Sequence, residues 1–432
     1  MTSKPLQLPL QKRKEDIVCV AAARTPFGRF GGALKNVDVY DLGAFIMKAV
    51  LARAGLEGRL IGEVWWGNGD TASTKDPFTP VVARQSLLKA GLPPETSAVT
   101  IDQACISSMS AVLYACRGIR AGEAGFVLTG GATSFSQEPF LLRGLRWEGR
   151  KHSSFPVEDP LIPLGYKDYA PVALDSGRLA VEYGVGREEQ DEWALASHEK
   201  YGRAWERGFF AAETVPFALD GAVLHKDEQY RPDISREKLR RLKPVFSNPT
   251  CTAGNSPGMN DGAAAQIFTT RAKAEELNLP IVYTLVSIAA VALTPRVMPV
   301  SPAFALKKCL GAAGLTPDDL SLIEINEAFA CVPLVSLKLL ANGRFLSAAY
   351  EELAREASVQ PILDYDETSY RALKAKLNIN GGAVAIGHPN TASGARLMMT
   401  AAAALRENGG GYAACAVCGG LSQGAAAIIR VE

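Results

Sequence analysis

Two distant stretches of this chain follow one plan, and that repetition limits the fold more than any other feature. Around Cys105 the order is a strand, the cysteine, an amphipathic helix, the turn "RAGEAG", the strand "FVLTG" and then "GATS". Around His388 it is "NINGGAVAIG", the histidine, a helix from about Ser393, the turn "ENGGG", the strand "YAACAVC" and then "GGLSQG". Identity between the stretches is low, so what repeats is an architecture, as an ancient duplication leaves behind. Strands alternate with helices and Gly-rich turns, as in "DLGAFIMKAVLARAGL" before "GEVWWGN", which reads as an α/β protein with parallel or mixed sheets.

At 432 residues the chain is long enough for two or three domains and a large core. The run "DIVCVAAARTPFG" reads as a buried strand that ends in a loop at Pro26 and Gly28. From Gln137 to Lys243 charge, aromatics and proline rise, and the polar run "REEQDEWALASHEKYGRAWERG" predicts a helix in an inserted, more solvated subdomain. Lysine plus arginine number 46 against 45 aspartate plus glutamate, which excludes the basic field of a nucleic-acid binder. No apolar run reaches the roughly 20 residues that cross a bilayer, so no membrane partner is expected. Residues 1–14, "MTSKPLQLPLQKRK", lack the apolar core and cleavage site of a secretory signal and read as a frayed tail. Eight irregularly spaced cysteines form no disulfide framework, which fits a reducing cytoplasm.

The helix after Cys105 carries Met109, Val112, Leu113, Cys116 and Ile119 at the spacing of a buried stripe. Cys105 therefore sits near a helix start, where unpaired amides and the helix dipole stabilise a thiolate. The position suits a nucleophile; it also suits a small apolar filler. Of the four histidines, His198 in a polar helical run and His225 in a charged loop read as solvated surface groups, and nothing near His152 recommends it. His388 differs, because "NINGGAVAIGHPNTASGAR" surrounds it with glycines that let backbone approach a ligand, and Pro389 fixes the turn. Its two readings are a catalytic base and a structural turn histidine.

In "CAVCGGLSQG", Cys415 faces the core by strand alternation, and Cys418 ends the strand where Gly419 and Gly420 expose their amides. One Cys-x-x-Cys pair on a strand, with no second pair at matching spacing, makes no zinc knuckle, so no metal is expected. Cys418 could instead be a second active thiol. In "LIEINEAFA" a strand delivers Asn326 and Glu327 to a turn, where Asn326 either caps the next helix or orients a water or polarises a carbonyl.

Read together, "AARTPFGRFGGAL", "GGATSFS", "TCTAGNSPGMNDGAAA", "NEAFA", "GGAVAIGHPNTASGAR" and "CGGLSQG" resemble the motifs of the thiolase family, in family order and over nearly the whole chain after the tail. The resemblance implies duplicated α/β halves in an α/β/α/β/α arrangement with an inserted loop domain. Residues 15–136 would form the N-terminal half, completed by 244–285, with 137–243 as the loop domain and 286–432 as the C-terminal half. It implies a ping-pong acyltransferase in which Cys105 accepts an acyl group with His388 as its base. Cys418 would then remove the α-proton of a second acyl-coenzyme A, and the carbanion would attack the acyl group; run backwards, the same residues cleave a 3-ketoacyl thioester. His388 with a water held by Asn326 is expected to form one oxyanion site, and the amides of Cys105 and Gly420 the other. Coenzyme A is expected as substrate and product, not as a resident cofactor, with contacts near Ser256. The assembly is expected to be a homodimer or homotetramer.

Several positions depart from the family's pattern. Ile106, Ser107 and Ser108 follow the nucleophile where small residues including glycine are usual, and Ile106 is expected to narrow the acyl pocket. Thr133 replaces an acidic residue, Thr391 a glycine and Pro257 a serine, while "YAPVALDSGRLA" stands where a His-Met pair approaches the thioester. The stretch "ASVQPILDYDETSYRALKAK" is extra and reads as a surface element. The simplest expectation is an acetyl-coenzyme A acetyltransferase for short acyl groups. Its alternatives are a 3-ketoacyl-coenzyme A thiolase for longer or functionalised chains, a non-catalytic acyl-coenzyme A or lipid carrier, and a hydroxymethylglutaryl-type condensing enzyme.

Overall fold

Strand pairing repeats itself outward from a central seam. The computed structural model describes residues 12–69, 80–142 and 168–432, with 144, 145, 147, 152, 154–161 and 166; the expected tail lies outside the described residues as far as residue 11. The main strands are β1 (Ile17–Arg24), β2 (Ile61–Gly67), β3 (Ser97–Ile101), β4 (Phe126–Thr133), β5 (Asn260–Thr270), β6 (Tyr283–Ala292), β7 (Leu322–Ile325), β8 (Gly411–Cys418) and β9 (Gln423–Val431). Their order across the sheet is β7-β8-β9-β6-β1-β5-β4-β2-β3. From β1 outward the pairings run antiparallel to β5, antiparallel to β4, then parallel to β2 and β3. From β6 outward they run antiparallel to β9 and β8, parallel to β7, and end on a parallel bridge from Ile323 to Leu377. The two runs meet through only Val18 against Thr284 and Cys19 against Tyr283. The plan read around Cys105 and His388 is thus present as topology.

The longer helices are α1 (Val39–Ala54), α2 (Val82–Ala90), α3 (Ser107–Ala121), α4 (Val172–Glu182), α5 (Arg187–Glu206), α6 (Ser301–Ala313), α7 (Cys331–Leu340), α8 (Tyr350–Ala357), α9 (Glu367–Ala375) and α10 (Ser393–Glu407). Period-2 alternation sorts side chains between them. In β5, Ala263, Ala265 and Ile267 pack toward α1 and α2, while Ala264 and Phe268 join the core around α3 and α10. In β8, Ala413, Cys415 and Val417 join that central core, whereas Ala414, Ala416 and Cys418 pack toward α6 and α7. Five layers result, with α3 and α10 sandwiched between the two runs of strands. Strands covered on both faces need continuous apolar runs, and "IVCVAAAR" and "GYAACAVC" supply them.

The inserted segment is less solvated than its composition suggests. One face of α5 is buried, with Trp193, Ala194, His198 and Tyr201 on it. Two polar networks explain why a charged helix is pulled in. Arg24, fully buried, pairs with Glu213 and Asp227 at 2.6 Å each, while Tyr201 Oη donates to Asp227 and Thr400 Oγ1 to Glu213. Glu327 accepts from Trp193 Nε1 at 2.9 Å, Ser197 Oγ at 2.8 Å, Asn378 Nδ2 at 2.9 Å and the Val384 amide at 3.0 Å. A buried carboxylate with four donors is satisfied, so each network ties the insert to the sheets. The extra stretch is amphipathic: Ile362, Tyr370 and Leu373 pack on the core beneath α7, and Val359 and Leu363 point outward. Among the described residues no helix is long and apolar enough to cross a membrane.

Candidate active site

Cys105 lies in the short turn Ala104–Ile106 between β3 and α3. Ala104 adopts φ 50°, a left-handed conformation that turns the chain sharply into the helix. Ser107 secures the turn, accepting from the Gln103 amide at 2.9 Å and donating to Ala104 O at 2.6 Å. The half-buried Cys105 side chain faces the other half of the molecule. Its Sγ is 3.2 Å from His388 Nε2 and 3.4 Å from Asn390 Oδ1.

His388 is held from several sides. Gly387 at φ 112° brings the backbone against Asn260, whose Oδ1 accepts from the His388 amide at 2.9 Å; a Cβ on Gly387 would press on that side chain. Asn260 Nδ2 also donates to Gly28 O at 3.0 Å, which is how the early "TPFG" stretch supports the histidine. Ser393, the first residue of α10, lies 2.6 Å from His388 Nδ1 and donates its own hydrogen to Pro389 O at 3.2 Å. That pattern assigns the ring proton to Nδ1 and leaves Nε2 bare toward Cys105. Burial, with Arg396 nearby, pushes His388 down to about 3, so the ring is neutral at ordinary pH. A neutral imidazole with its lone pair on a thiol is a proton acceptor.

Asn326 does not cap α7; the residue before that helix is Ala330, with no side-chain cap. Its Nδ2 instead lies 3.3 Å from His388 Nε2 and 3.4 Å from Nδ1, while its Oδ1 accepts from Arg396 Nη2 at 3.3 Å. Arg396 in turn meets Glu324 at 3.4 Å, and all three side chains are fully buried. Burial pushes the Glu324 carboxyl up to about 8 against the pull of Arg396.

Cys418 ends β8, is fully buried, and makes no hydrogen bond to Cys105 or His388; burial pushes its thiol up to about 12. The link to the Cys105 turn runs through the next residues. A Cβ on Gly419 would sit 2.8 Å from Ile106, and one on Gly420 would collide with the Tyr166 hydroxyl and touch Ala104. Only glycine fits at both. The Gly419 amide, read from the sequence as exposed, instead donates to Gln423 O at 2.7 Å and closes the turn, which leaves Gly420 as the amide beside Ala104. Ile106 is spent on this packing and is wholly buried. Cys415 and Cys418 point to opposite faces of the sheet, so they cannot share a metal.

Elsewhere the sequence reading needs correction. His198 is not a solvated surface group: it is 2% exposed, accepts from the Arg231 amide at 3.2 Å, and is pushed down to about 4 by burial and Arg231. A histidine among charged neighbours on a long helix looks exposed until the partner face is known. His152 and His225 are exposed. The two threonine departures turn out to touch. The Thr391 amide donates to Thr133 Oγ1 at 3.2 Å, the two hydroxyls are 2.9 Å apart, and Thr391 Oγ1 donates to Ala132 O at 2.7 Å. Together they clip the His388 loop to β4. Ser393, Asn260, Asn390 and Arg396 were not singled out from sequence; the one available signal was polar residues on the buried face of α10.

A cysteine and histidine meeting at the helix starts of two like α/β halves define an acyl-transfer enzyme of duplicated fold. The sequence pattern of the thiolase N-terminal domain matches residues 17–272 and that of the thiolase C-terminal domain matches 279–431, so the chain belongs to the thiolase family and is an acyltransferase. It is 38% identical over 421 residues to the probable acetyl-CoA acetyltransferase of Mycolicibacterium smegmatis, covering 95% of this chain and 99% of that one. It is 36% identical over 435 residues to the beta-ketoadipyl-CoA thiolase of Pseudomonas aeruginosa, covering 96% and 99%. The crystal structure of human mitochondrial 3-ketoacyl-CoA thiolase in complex with CoA matches with a TM-score of 0.84 and 33% identity, covering 97% of this chain and 98% of that one.

Proposed function

We propose that this thiolase interconverts two acyl-coenzyme A molecules with a 3-ketoacyl-coenzyme A and free coenzyme A, by way of an acyl group on Cys105. The observation that carries the reading is the 3.2 Å approach of a buried, neutral His388 to the Cys105 sulfur. Nε2 takes the thiol proton as Sγ attacks the thioester carbonyl; the carbon–sulfur bond to coenzyme A breaks, and the departing thiolate recovers that proton. Asn326 Nδ2, and His388 Nε2 once it has taken the Cys105 proton, supply donors where the oxyanion charge develops on one side, and the amides of Cys105 and Gly420 on the other. A non-catalytic carrier would have no use for a sulfur held against a bare imidazole nitrogen.

Cys418 is the proton carrier at the α-carbon. Burial keeps it a thiol at neutral pH, the form that protonates the acyl-coenzyme A enolate released in thiolysis. In condensation the same sulfur, as its thiolate, takes the α-proton of the second acyl-coenzyme A. Coenzyme A is expected to run past Ser256, whose Oγ is buried without a hydrogen-bond partner among the described residues. The short-chain reading leans on relatives named acetyl-CoA acetyltransferase, and a functionalised chain on those named beta-ketoadipyl-CoA thiolase. We divide the chain as 15–136 with 244–285, 137–243, and 286–432, place it in a reducing cytoplasm on account of its eight free cysteines, and expect a homo-oligomer.

The test follows acetoacetyl-coenzyme A thiolysis and the mass of the enzyme. Wild type should carry an acetyl group on Cys105 after incubation with acetyl-coenzyme A. Cys105→Ser should lose both adduct and turnover, by about a thousandfold or more. Cys418→Ala should still acylate but fail to exchange substrate α-protons with solvent. An adduct that persists without Cys105, or exchange that persists without Cys418, would refute the assignment.

A further inference from the structure

Backbone strain gathers beside the site at a place the acyl-transfer chemistry does not use. After Cys418 the chain turns through Leu421 at φ 54° and Ser422 at φ 62°, and Arg296 sits at φ 89°. The loop that carries Arg296 hangs on that turn: the Leu293 amide donates to Ser422 O at 3.1 Å and the Val297 amide to Ser422 Oγ at 3.0 Å. Side-chain-bearing residues persist in left-handed backbone only where their surroundings over-determine it, and such places cluster at ligand sites. A small cavity against Leu421, Tyr166 and Met298 lies next to Gly420. It shares Tyr169, Asp175, Pro295 and Arg296 with a groove of about 540 Å³ that runs on to Val359 and Pro361 of the extra stretch. That volume lies within the range of small-molecule sites.

Arg178 and Arg296 are both exposed on this groove. Neither Arg178 nor Arg296 takes part in a hydrogen bond or ion pair among the described residues. Asp175 and Glu182 line the same groove, so it is charge-balanced and offers a free anion no net attraction. Burial pushes the Asp175 carboxyl up, and Arg296 and Arg178 pull it down. Gly420 packs between Tyr166, which lines the cavity, and Ala104, which precedes Cys105. An acyl chain on Cys105 that follows this contact carries its end toward the cavity, where a guanidinium can take a carboxylate through two parallel hydrogen bonds.

We propose that Arg296 forms the subsite for an anionic end of the acyl chain, making a 3-ketoacyl-coenzyme A that ends in a carboxylate the preferred substrate class. The proposal rests on the thiolase reading above and adds the tail of the substrate to it. Its test compares thiolytic kcat/KM for 3-ketoadipyl-coenzyme A and for 3-ketohexanoyl-coenzyme A, the neutral substrate of equal length, with acetoacetyl-coenzyme A as the reference. Wild type should favour the carboxylate-ended substrate. Arg296→Gly removes the guanidinium while relieving the left-handed backbone, so folding is not put at risk. In this variant the ratio of the two six-carbon rates should fall about 10- to 100-fold, the loss of one charged hydrogen-bonding partner. An unchanged ratio overturns the proposal, and so does a variant whose only defect is a raised KM for coenzyme A, which would assign Arg296 to a coenzyme A phosphate. A wild type that cleaves none of the three substrates, acetoacetyl-coenzyme A included, would sink the broader reading instead.

Discussion

Arg396 decides which way the Asn326 amide points. A guanidinium only donates, so the amide oxygen must face Arg396 at 3.3 Å and the amide nitrogen must face His388. Without that constraint the amide could turn its oxygen to the site and remove a donor from the oxyanion position. We therefore expect the variant Arg396→Met with Glu324→Gln, which avoids leaving an unpaired buried carboxylate, to lose about 10²- to 10³-fold in kcat/KM. In an Asn326→Ala background the same pair of changes should cost little more, because residues that act through one another are not additive. Equal losses in both backgrounds would mean that Arg396 is merely structural. Sequence made Cys105 and His388 legible because thiols and imidazoles are scarce and glycines marked their turns. Arg396 and Ser393 sat in the same quoted motif, "ASGAR", yet a serine and an arginine at a helix start have many ordinary uses. Only the fold reveals that they face inward.

At the scale of elements, strand alternation was readable and helix burial was not. "YAACAVC" reads as a strand with Cys415 turned to the core, and the fold buries its other face as well; α10 begins at Ser393, where the pattern placed it. The α5 segment misled because its composition is polar all round, while its buried face is paid for by partners distant in sequence, such as Glu327 and Asp227. His198 on that helix gives a measurable consequence. Its ring titrates at about 4 in the fold against an ordinary 6.5, so between those values the unfolded chain binds a proton that the folded one declines. Stability therefore falls as pH drops from 6.5 toward 4. That is the His198 contribution; His388 acts with the same sign, whereas Asp261, pushed up to about 6 by burial, and Glu324, pushed up to about 8, act with the opposite one, so the His198 share is read from the difference between variant and wild type. We expect His198→Gln, which keeps an acceptor for the Arg231 amide, to lose less Tm than wild type over that window. His225→Gln, at an exposed site, should track wild type; parallel curves for all three proteins would show that His198 is not the group responsible.

For the whole molecule, the duplication leaves one edge unfinished. In the second half β7 is flanked by the bridge to Leu377, but β3 in the first half has β2 as its only strand neighbour among the described residues. All five of its residues are exposed or half-buried, and Val99 is 38% exposed. An open edge with a β-branched side chain invites another strand, and natural proteins cover such edges. A second copy related by a twofold axis could add its own β3 antiparallel, which would also brace the turn that holds Cys105 four residues downstream. We expect wild type to be dimeric or larger at micromolar concentration by light scattering. Val99→Lys would place two like charges near the axis, so its dissociation constant should rise at least about tenfold. Because the strand leads directly into the Cys105 turn, acylation of Cys105 should weaken in the dissociated form and recover as protein concentration is raised. A wild type that scatters as a monomer, or a Val99→Lys protein that assembles and acylates as wild type does, would show that this edge stays open in solution.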